Sequence, residues 1–512
     1  MPEAANPPWW RSATVYQVYP RSFADSDRDG VGDLLGVRAR LDHLAWLGVD
    51  AVWLSPFYRS PMADFGYDVA DFCDVDPLFG DLEGFDALLA DAHELGIKIV
   101  VDLVPNHTSD QHPWFRASRS SREHPQRDWY VWKDGGGPSV PPNNWLGAFI
   151  DGGRAWTWDT TSEQWYLHQF LPQQPDLNWH TPEVVDAMHD VMRFWLDRGV
   201  DGFRIDVIHC IGRDPSYPND APPWSEIPHC LSNEHPSTHE HIRTMRTLAD
   251  SYPGDRVLIG ETALPGTARV APYYGDDDEL HLAFNFAFTH APWDADVWRW
   301  RIKRVIDELD PRAAWPSWVL SNHDIPRHRT RYGGSERRAR AAAVALLTLR
   351  GTPFIYAGEE LGLEDAEVPA DRVVDPGGRD GCRAPLPWTV SPEHGWGPNP
   401  WLPFPPDAGS HSVEAQRADS GSMLHLYRRL LGARRASLAL SLGSVRLLDT
   451  PPGTLAWVRE LQDDTRTVVL NMGAATSAVD LSGIIEVSSD ESLVEGTPFA
   501  GSLPADAAVL LR

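Results

Sequence analysis

The sequence predicts an α/β protein built on a (β/α)8 barrel, with a subdomain inserted after the third strand and a small antiparallel β domain at its C-terminal end. Three observations carry this. Short β-rich apolar runs alternate with longer helical patterns from residue 15 to about residue 437. Runs such as Ile97-Lys98-Ile99-Val100-Val101-Asp102-Leu103-Val104 are almost continuously hydrophobic, as strands of a parallel sheet covered by helices must be. Eight such runs in a chain of 512 residues favour a closed barrel over an open doubly wound sheet.

The strand candidates are 15–20, 49–57, 97–106, 199–206, 255–261, 281–286, 318–323 and 352–357, the sixth having the weakest pattern. Helical patterns at 36–47, 84–95, 182–198, 293–309 and 335–350 lie between them. The interval 107–177 is too long for a simple crossover and is rich in Trp, Pro and Gly, with Gly135-Gly136-Gly137 and Pro141-Pro142-Asn143-Asn144. It is expected to lie over the C-terminal face of the barrel, where such folds place their chemistry. Residues 365–415 form a second irregular insertion. From 438 the pattern changes to short strands, among them Leu455-Ala456-Trp457-Val458 and Arg466-Thr467-Val468-Val469-Leu470. The expected division is a barrel over 1–106 and 178–437, an inserted subdomain over 107–177 and a β domain over 438–512. No repeat of solenoid period is visible.

Composition narrows the partners. Forty-five basic against seventy-three acidic residues leave a formal charge of −28, a field that repels nucleic acid and anionic lipid. The start, Met1 to Pro8, lacks the basic and apolar regions of a secretory signal, and no window approaches the ~18 apolar residues of a membrane helix. Four cysteines, Cys73, Cys210, Cys230 and Cys382, do not suggest a disulfide framework. The pairs His209-Cys210 and His229-Cys230 fit no short zinc-ligand spacing. A cytoplasmic location is expected; oligomeric state is not readable.

The chemistry gathers at strand ends. In Gly202-Phe203-Arg204-Ile205-Asp206, strand alternation sends Arg204 and Asp206 into one space, and an arginine beside a carboxylate orients it and favours its ionised form. Glu261 and Asp324 end the fifth and seventh strands. Any one acid could equally cap a helix or pair with an arginine, but three at the ends of strands of one barrel form a catalytic layout. Two carboxyl groups about 5–5.5 Å apart are what retaining glycosidases need. Around them Asp64, Tyr67, Asp102, His107, His323 and Arg383 supply the acids, imidazoles, guanidinium and ring that read a pyranose. The 23 tryptophans are scattered and read mostly as packing.

A second constellation is Asp25-Ser26-Asp27-Arg28-Asp29-Gly30-Val31-Gly32-Asp33. Oxygen donors at alternate positions around a turn glycine suit a hard cation, calcium first and magnesium second, with Asp25, Asp27, Asp29 and Asp33 as side-chain ligands and Val31 through its carbonyl. The closing glutamate of an EF-hand is absent, and a stabilising role is expected. Leu35 stands where a dinucleotide fingerprint needs its third glycine, and no Walker A, His-Glu-x-x-His or Gly-x-Ser-x-Gly motif is present.

With these motifs the chain resembles the α-amylase superfamily of glycoside hydrolases, in its α-glucosidase and oligo-1,6-glucosidase branch. The resemblance runs over nearly the whole length. It rests on Val15 to Phe23, Asp102-Leu103-Val104-Pro105-Asn106-His107, Gln174-Pro175-Asp176-Leu177-Asn178, Gly202 to Asp206, Gly260-Glu261-Thr262 and Ser321-Asn322-His323-Asp324. It implies Asp206 as nucleophile, Glu261 as acid and then base, and Asp324 as the residue holding substrate hydroxyls and favouring a distorted ring. It further implies that Asp64, Tyr67, His107, Phe170, Arg204, His323 and Arg383 surround the terminal glucose, that the 25–33 loop carries calcium or magnesium, and that the C-terminal domain is a β-sandwich.

The activity so implied is retaining, exo-acting hydrolysis of terminal α-linked glucose from short oligosaccharides or α-glucosides, with transglucosylation, or glucosyl transfer or isomerisation, as the alternative on the same scaffold. In that family a valine after the nucleophile, here Val207, accompanies α-1,6 use in many members and α-1,4 use in a neighbouring group. The segments 211–233 and 365–415 depart from the common pattern.

Overall fold

The computed structural model of the protein describes residues 7–148, 153–220 and 234–512. Eight parallel strands, β1 (Val15–Val18), β2 (Ala51–Leu54), β3 (Lys98–Leu103), β4 (Gly202–Ile205), β5 (Val257–Gly260), β6 (Leu282–Ala283), β7 (Ser317–Val319) and β8 (Thr352–Tyr356), form one sheet in the order β6-β5-β4-β3-β2-β1-β8-β7. All eight lie within or overlap the runs read from sequence. The sheet curls until β6 and β7 face each other, but no ladder joins them. Ser317 Oγ takes its place, donating to the Ala283 carbonyl at 2.8 Å and accepting from Asn285 N at 3.2 Å. A side chain thus bridges the two edge strands where a backbone ladder would run.

Strand alternation divides the side chains into two cores. Val15, Trp53, Val100, Ile259, Val319 and Phe354 fill the barrel interior. Their neighbours Tyr16, Val52, Val101, Phe203, Leu258 and Ile355 face the helices. The outer ring comprises α1 (Leu41–Leu47), α2 (Leu82–Glu94), α3 (Pro182–Arg198), α4 (Pro236–Asp250), α5 (Ala295–Leu309), α6 (Glu336–Thr348) and α7 (Met423–Ala436). Their ends are local in origin: Asp81 and Asp294 accept from Gly84 N and Val297 N as N-caps. Helix α3 begins on a proline and stops at Gly199 in the left-handed region, φ 104°. The 36–47 pattern is divided in two, because Arg40 leaves helical geometry after the short turn Leu34–Arg38.

The segment after β3 carries a helix, Pro113–Ser120, and a three-stranded antiparallel sheet of Trp132–Lys133, Gln164–Leu167 and Trp156–Asp159. It is tied to the barrel by Asp176, which accepts from Arg213 at 2.7 Å and pairs in a bridge with His107. At the C-terminal end β9 (Ser444–Leu448), β10 (Thr454–Leu461), β11 (Asp464–Asn471), β12 (Ile485–Ser488) and β13 (Ala507–Leu511) form an antiparallel sheet in the order β9-β10-β11-β13-β12. Val468, Leu470, Ala508 and Leu510 join the main core, while Val469, Val509 and Leu511 pack on the other face with Val479, Phe499 and Leu503. Among the described residues no helix is long and apolar enough to cross a membrane. His229 and Cys230 lie outside the described residues, as do 221–233 of the divergent 211–233 segment.

Candidate active site

The parity that fills the barrel continues past its strand ends. Val15 is followed by Gln17, Val100 by Asp102, Gly202 by Arg204 and Asp206, and Ile259 by Glu261, so polar groups replace apolar ones toward the C-terminal mouth. Above them lies a cavity of about 220 Å3 lined by Asp64, Tyr67, His107, Phe170, Asp206, Val207, Glu261, Ala263, Asp324 and Arg379. This is below the ~300–1,000 Å3 of drug-sized ligand sites and suits a single sugar ring. Seven of the ten residues predicted from sequence are on its wall, including all three acids.

Arg204 organises one side. Its Nη1 donates to Asp102 Oδ1 at 2.7 Å and Asp206 Oδ1 at 2.8 Å, and its Nη2 donates to Glu261 Oε2 at 2.5 Å. The guanidinium is wholly buried, lies over Trp53, and forms a layer beneath the cavity rather than part of its wall. Glu261 Oε2 also accepts from Val207 N at 3.1 Å. That amide is presented by a backbone with φ 34° and ψ 43°, left-handed geometry that a β-branched residue rarely adopts. Burial raises the Asp206 carboxyl well above the usual range; Arg204 opposes this, while Glu261 and Asp102 reinforce it. Asp102 is pushed up to about 6, again chiefly by burial.

Asp324 has the opposite surroundings. Its Oδ1 accepts from Arg379 Nη1 at 2.9 Å and Arg383 Nη2 at 3.0 Å, and its Oδ2 lies 3.2 Å from His323 Nε2. Burial alone would raise this acid, but His323, Arg379 and Arg383 outweigh it and hold the carboxyl well below the usual carboxylate range. His323 is fully buried, brought by burial down to about 3, and fixed between Gln17 Nε2 at 2.7 Å and the Tyr67 hydroxyl at 2.6 Å. It orients its neighbours from behind the wall. Asp64 closes the far end, its Oδ1 paired with Arg379 and its Oδ2 accepting from Gln174 Nε2 at 3.0 Å. His107, beside Phe170, is likewise kept neutral by burial.

Arg383, like Arg204 and His323, lies behind the wall. Arg383 is 0 % exposed and reaches Asp324 from behind, with its Nε on the His323 carbonyl at 2.7 Å. The arginine on the cavity wall is Arg379, four residues earlier, which sequence reasoning passed over. Its loop has no periodicity to show which of two arginines faces inward. The Asp375-x-x-x-Arg379-x-x-x-Arg383 spacing was the available signal.

In the 25–33 loop, carboxylate oxygens of Asp25, Asp27 and Asp29 lie within 4.8 Å of one another, a donor set that fits a hard cation. Asp33 stands apart from that group. Its Oδ1 accepts from Gly36 N, capping the turn Leu34–Arg38, and its Oδ2 from Ser26 N and Oγ. Val31 donates its amide to Asp29 Oδ1 at 2.7 Å. The loop also anchors the late insertion, since Gly397 N donates to Asp25 Oδ2 at 3.0 Å.

A (β/α)8 barrel with paired acids on one arginine fork, a third acid held ionised opposite them and a sugar-sized cavity between is a glycoside hydrolase. The chain belongs to the α-amylase family: residues 17–443 match the model of the alpha amylase catalytic domain. It is 41% identical over 506 residues to a probable alpha-glucosidase of Rhizobium meliloti (strain 1021), covering 92% of this chain and 91% of that one. It is 36% identical over 538 residues to the oligo-1,6-glucosidase of Parageobacillus thermoglucosidasius, covering 95% and 94%. Among solved structures, an alpha-glucosyl transfer enzyme, XgtA, superposes with a TM-score of 0.91 at 41% identity, over 99% of this chain and 100% of that one.

Proposed function

We propose that the protein is a retaining, exo-acting α-glucosidase that removes single terminal α-linked glucose units from short oligosaccharides or small α-glucosides. The observation that carries this is the cavity itself. Asp206, Glu261 and Asp324 face one space of about 220 Å3 whose wall also carries the Asp64–Arg379 pair. A space of that size takes one sugar ring.

Asp206 and Glu261 share one guanidinium, which holds the two carboxyl groups close to each other, as a double displacement requires. Asp206 Oδ1 is held by Arg204, so Oδ2 is the oxygen that attacks the anomeric carbon. Glu261 Oε2 already accepts from two donors, so the catalytic proton belongs on Oε1. In the first step the bond from the anomeric carbon to the leaving oxygen breaks, Asp206 forms the glucosyl ester, and the proton passes to the leaving oxygen. In the second, Glu261 takes a proton from water, whose oxygen displaces Asp206. Asp324, ionised, accepts from sugar hydroxyls and favours positive charge on the ring. Asp64, Tyr67, His107, Phe170 and Arg379 hold the remaining edges.

Turnover of p-nitrophenyl α-glucoside followed by proton NMR tests this: α-glucose is expected first, with the β anomer appearing only by mutarotation. Initial β-glucose, or no turnover, would remove the proposal. Glucosyl transfer or isomerisation is the second reading, supported by the likeness to a glucosyl transfer enzyme. It differs only in which hydroxyl meets the ester. Product analysis at rising acceptor sugar separates the two, since a transferase keeps forming disaccharide when acceptor is scarce.

The 25–33 loop is assigned to calcium, with magnesium as the alternative, held by Asp25, Asp27 and Asp29 and the Val31 carbonyl, with Asp33 bracing the loop through Ser26 and Gly36 instead of binding the ion. The cation would supply only charge neutralisation and rigidity far from the reacting atoms. Chelation is expected to lower Tm with calcium restoring it; an unchanged Tm in protein shown to be metal-free would refute the assignment. A cytoplasmic setting accords with the free thiols of Cys73 and Cys382.

A further inference from the structure

Arg379 shuts the cavity, yet it sits on a thin, irregular loop. Residues 371–374 are exposed, and Arg379 itself keeps 14 % of its side chain in solvent. Arginine has several rotatable bonds and loses entropy when held in one pose, so something must fix this one. The fixing group is Asp375. Its side chain is fully buried, and it accepts three bonds from Arg379: backbone N to Oδ2 at 2.8 Å, Nε to Oδ2 at 2.9 Å and Nη2 to Oδ1 at 2.7 Å. A fourth comes from Arg383 Nη1 at 3.2 Å. Asp375 is in turn held by its own amide, which donates to Asp380.

Gly377 supplies an independent observation. It does not adopt the left-handed backbone that would by itself call for glycine. A Cβ there would lie 2.8 Å from Arg379 Nε and 3.1 Å from Asp375 Oδ2. The missing side chain is what lets the acid and the guanidinium close on each other.

We propose that Asp375 and Gly377 form a latch that fixes Arg379 across the inner end of the cavity, making them the positioning residues that limit the site to one sugar ring. The inference rests on the exo-acting reading above and extends it. Neither residue touches substrate; both act through Arg379, whose remaining donors reach Asp64 and Asp324. With the latch released, Arg379 loses its fixed pose, the Asp64–Arg379 pair parts, and a second glucose unit can pass beyond the first.

The test compares wild type, Gly377→Ala and Asp375→Asn on p-nitrophenyl α-glucoside and p-nitrophenyl α-maltoside, with products separated by chromatography. Wild type is expected to release only glucose from both; failure to release glucose at all would overturn the exo-glucosidase reading itself. Each variant is expected to lose about 10–10²-fold in kcat/KM on the glucoside, mostly through KM, and to release maltose directly from the maltoside. Gly377→Ala adds one methyl group against Asp375 and Arg379 and keeps the test decisive should Asp375→Asn fail to fold. Folded Gly377→Ala protein with wild-type KM and no maltose would overturn the latch. So would an equal loss of kcat on both substrates with glucose still the only sugar released.

Discussion

On the β4–β5 side of the mouth, one guanidinium, Arg204, serves three buried carboxylates, Asp102, Asp206 and Glu261. On the β7–β8 side two guanidiniums, Arg379 and Arg383, serve Asp64, Asp324 and Asp375, with His323 beside them. The groups are the same and the outcome differs. Burial prevails at Asp206, whose carboxyl is raised, while at Asp324 the cations prevail and it is held low. The difference is local: Asp206 shares one guanidinium with two other carboxylates, Asp324 draws on two guanidiniums and His323, and Asp64, paired with Arg379 alone, is still raised by burial. Asp324 is thereby a fixed negative charge that awaits a cationic ring.

The sharpest way to break this comparison is to remove the nucleophile. Asp206→Ala is expected to lower kcat by about 10⁴-fold or more, measured on p-nitrophenyl α-glucoside. Turnover within tenfold of wild type would remove Asp206 from the reaction.

Asp324→Asn tests the other side. Loss of a fixed charge facing the transition state is expected to cost roughly 10²–10³-fold in kcat, while the alkaline limb of the pH–rate profile, which reports the proton held on the β4–β5 side, stays in place. An Asp324→Asn variant whose alkaline limb moved by more than a pH unit would show that the two clusters titrate together.

The smallest effect concerns an acid with no guanidinium bonded to it. Glu360, fully buried behind β8, accepts from the Tyr16 hydroxyl at 2.8 Å and Gly358 N at 2.9 Å but has no ion pair among the described residues. Burial pushes it up to about 7. Because the folded state then binds the proton more tightly than the unfolded chain, its contribution to stability is complete below about pH 4.5 and is lost as pH rises to about 7. Glu360→Gln is expected to remove this slope, on the order of 3 kcal/mol at most. Tm would then match wild type near pH 4.5 and exceed it above pH 7. A variant whose Tm fell in parallel with wild type across that range would contradict the rule drawn from Asp206 and Asp324.

Much of this arrangement was legible in the chain. A period of two places Arg204 and Asp206 together, and apolar runs mark where each barrel strand ends, so the acids at positions 206, 261 and 324 could be referred to one mouth. What could not be read lies where no period exists. The closure of β6 on β7 depends on one serine hydroxyl. The left-handed backbone of Val207 leaves no mark in residue type, since valine disfavours it. Arg379 was missed because its loop is irregular, and the choice between it and Arg383 depends on tertiary contacts with Asp64 and Asp375.

The central claim is that Asp206, on the arginine-poor side, is the carboxylate that bonds to the sugar. Incubation with a 5-fluoro-α-glucosyl fluoride, followed by peptide mapping by mass spectrometry, measures this directly. A single glucosyl adduct on the peptide containing Asp206, absent from Asp206→Ala, is the expected result. An adduct on Glu261 or Asp324 would contradict it.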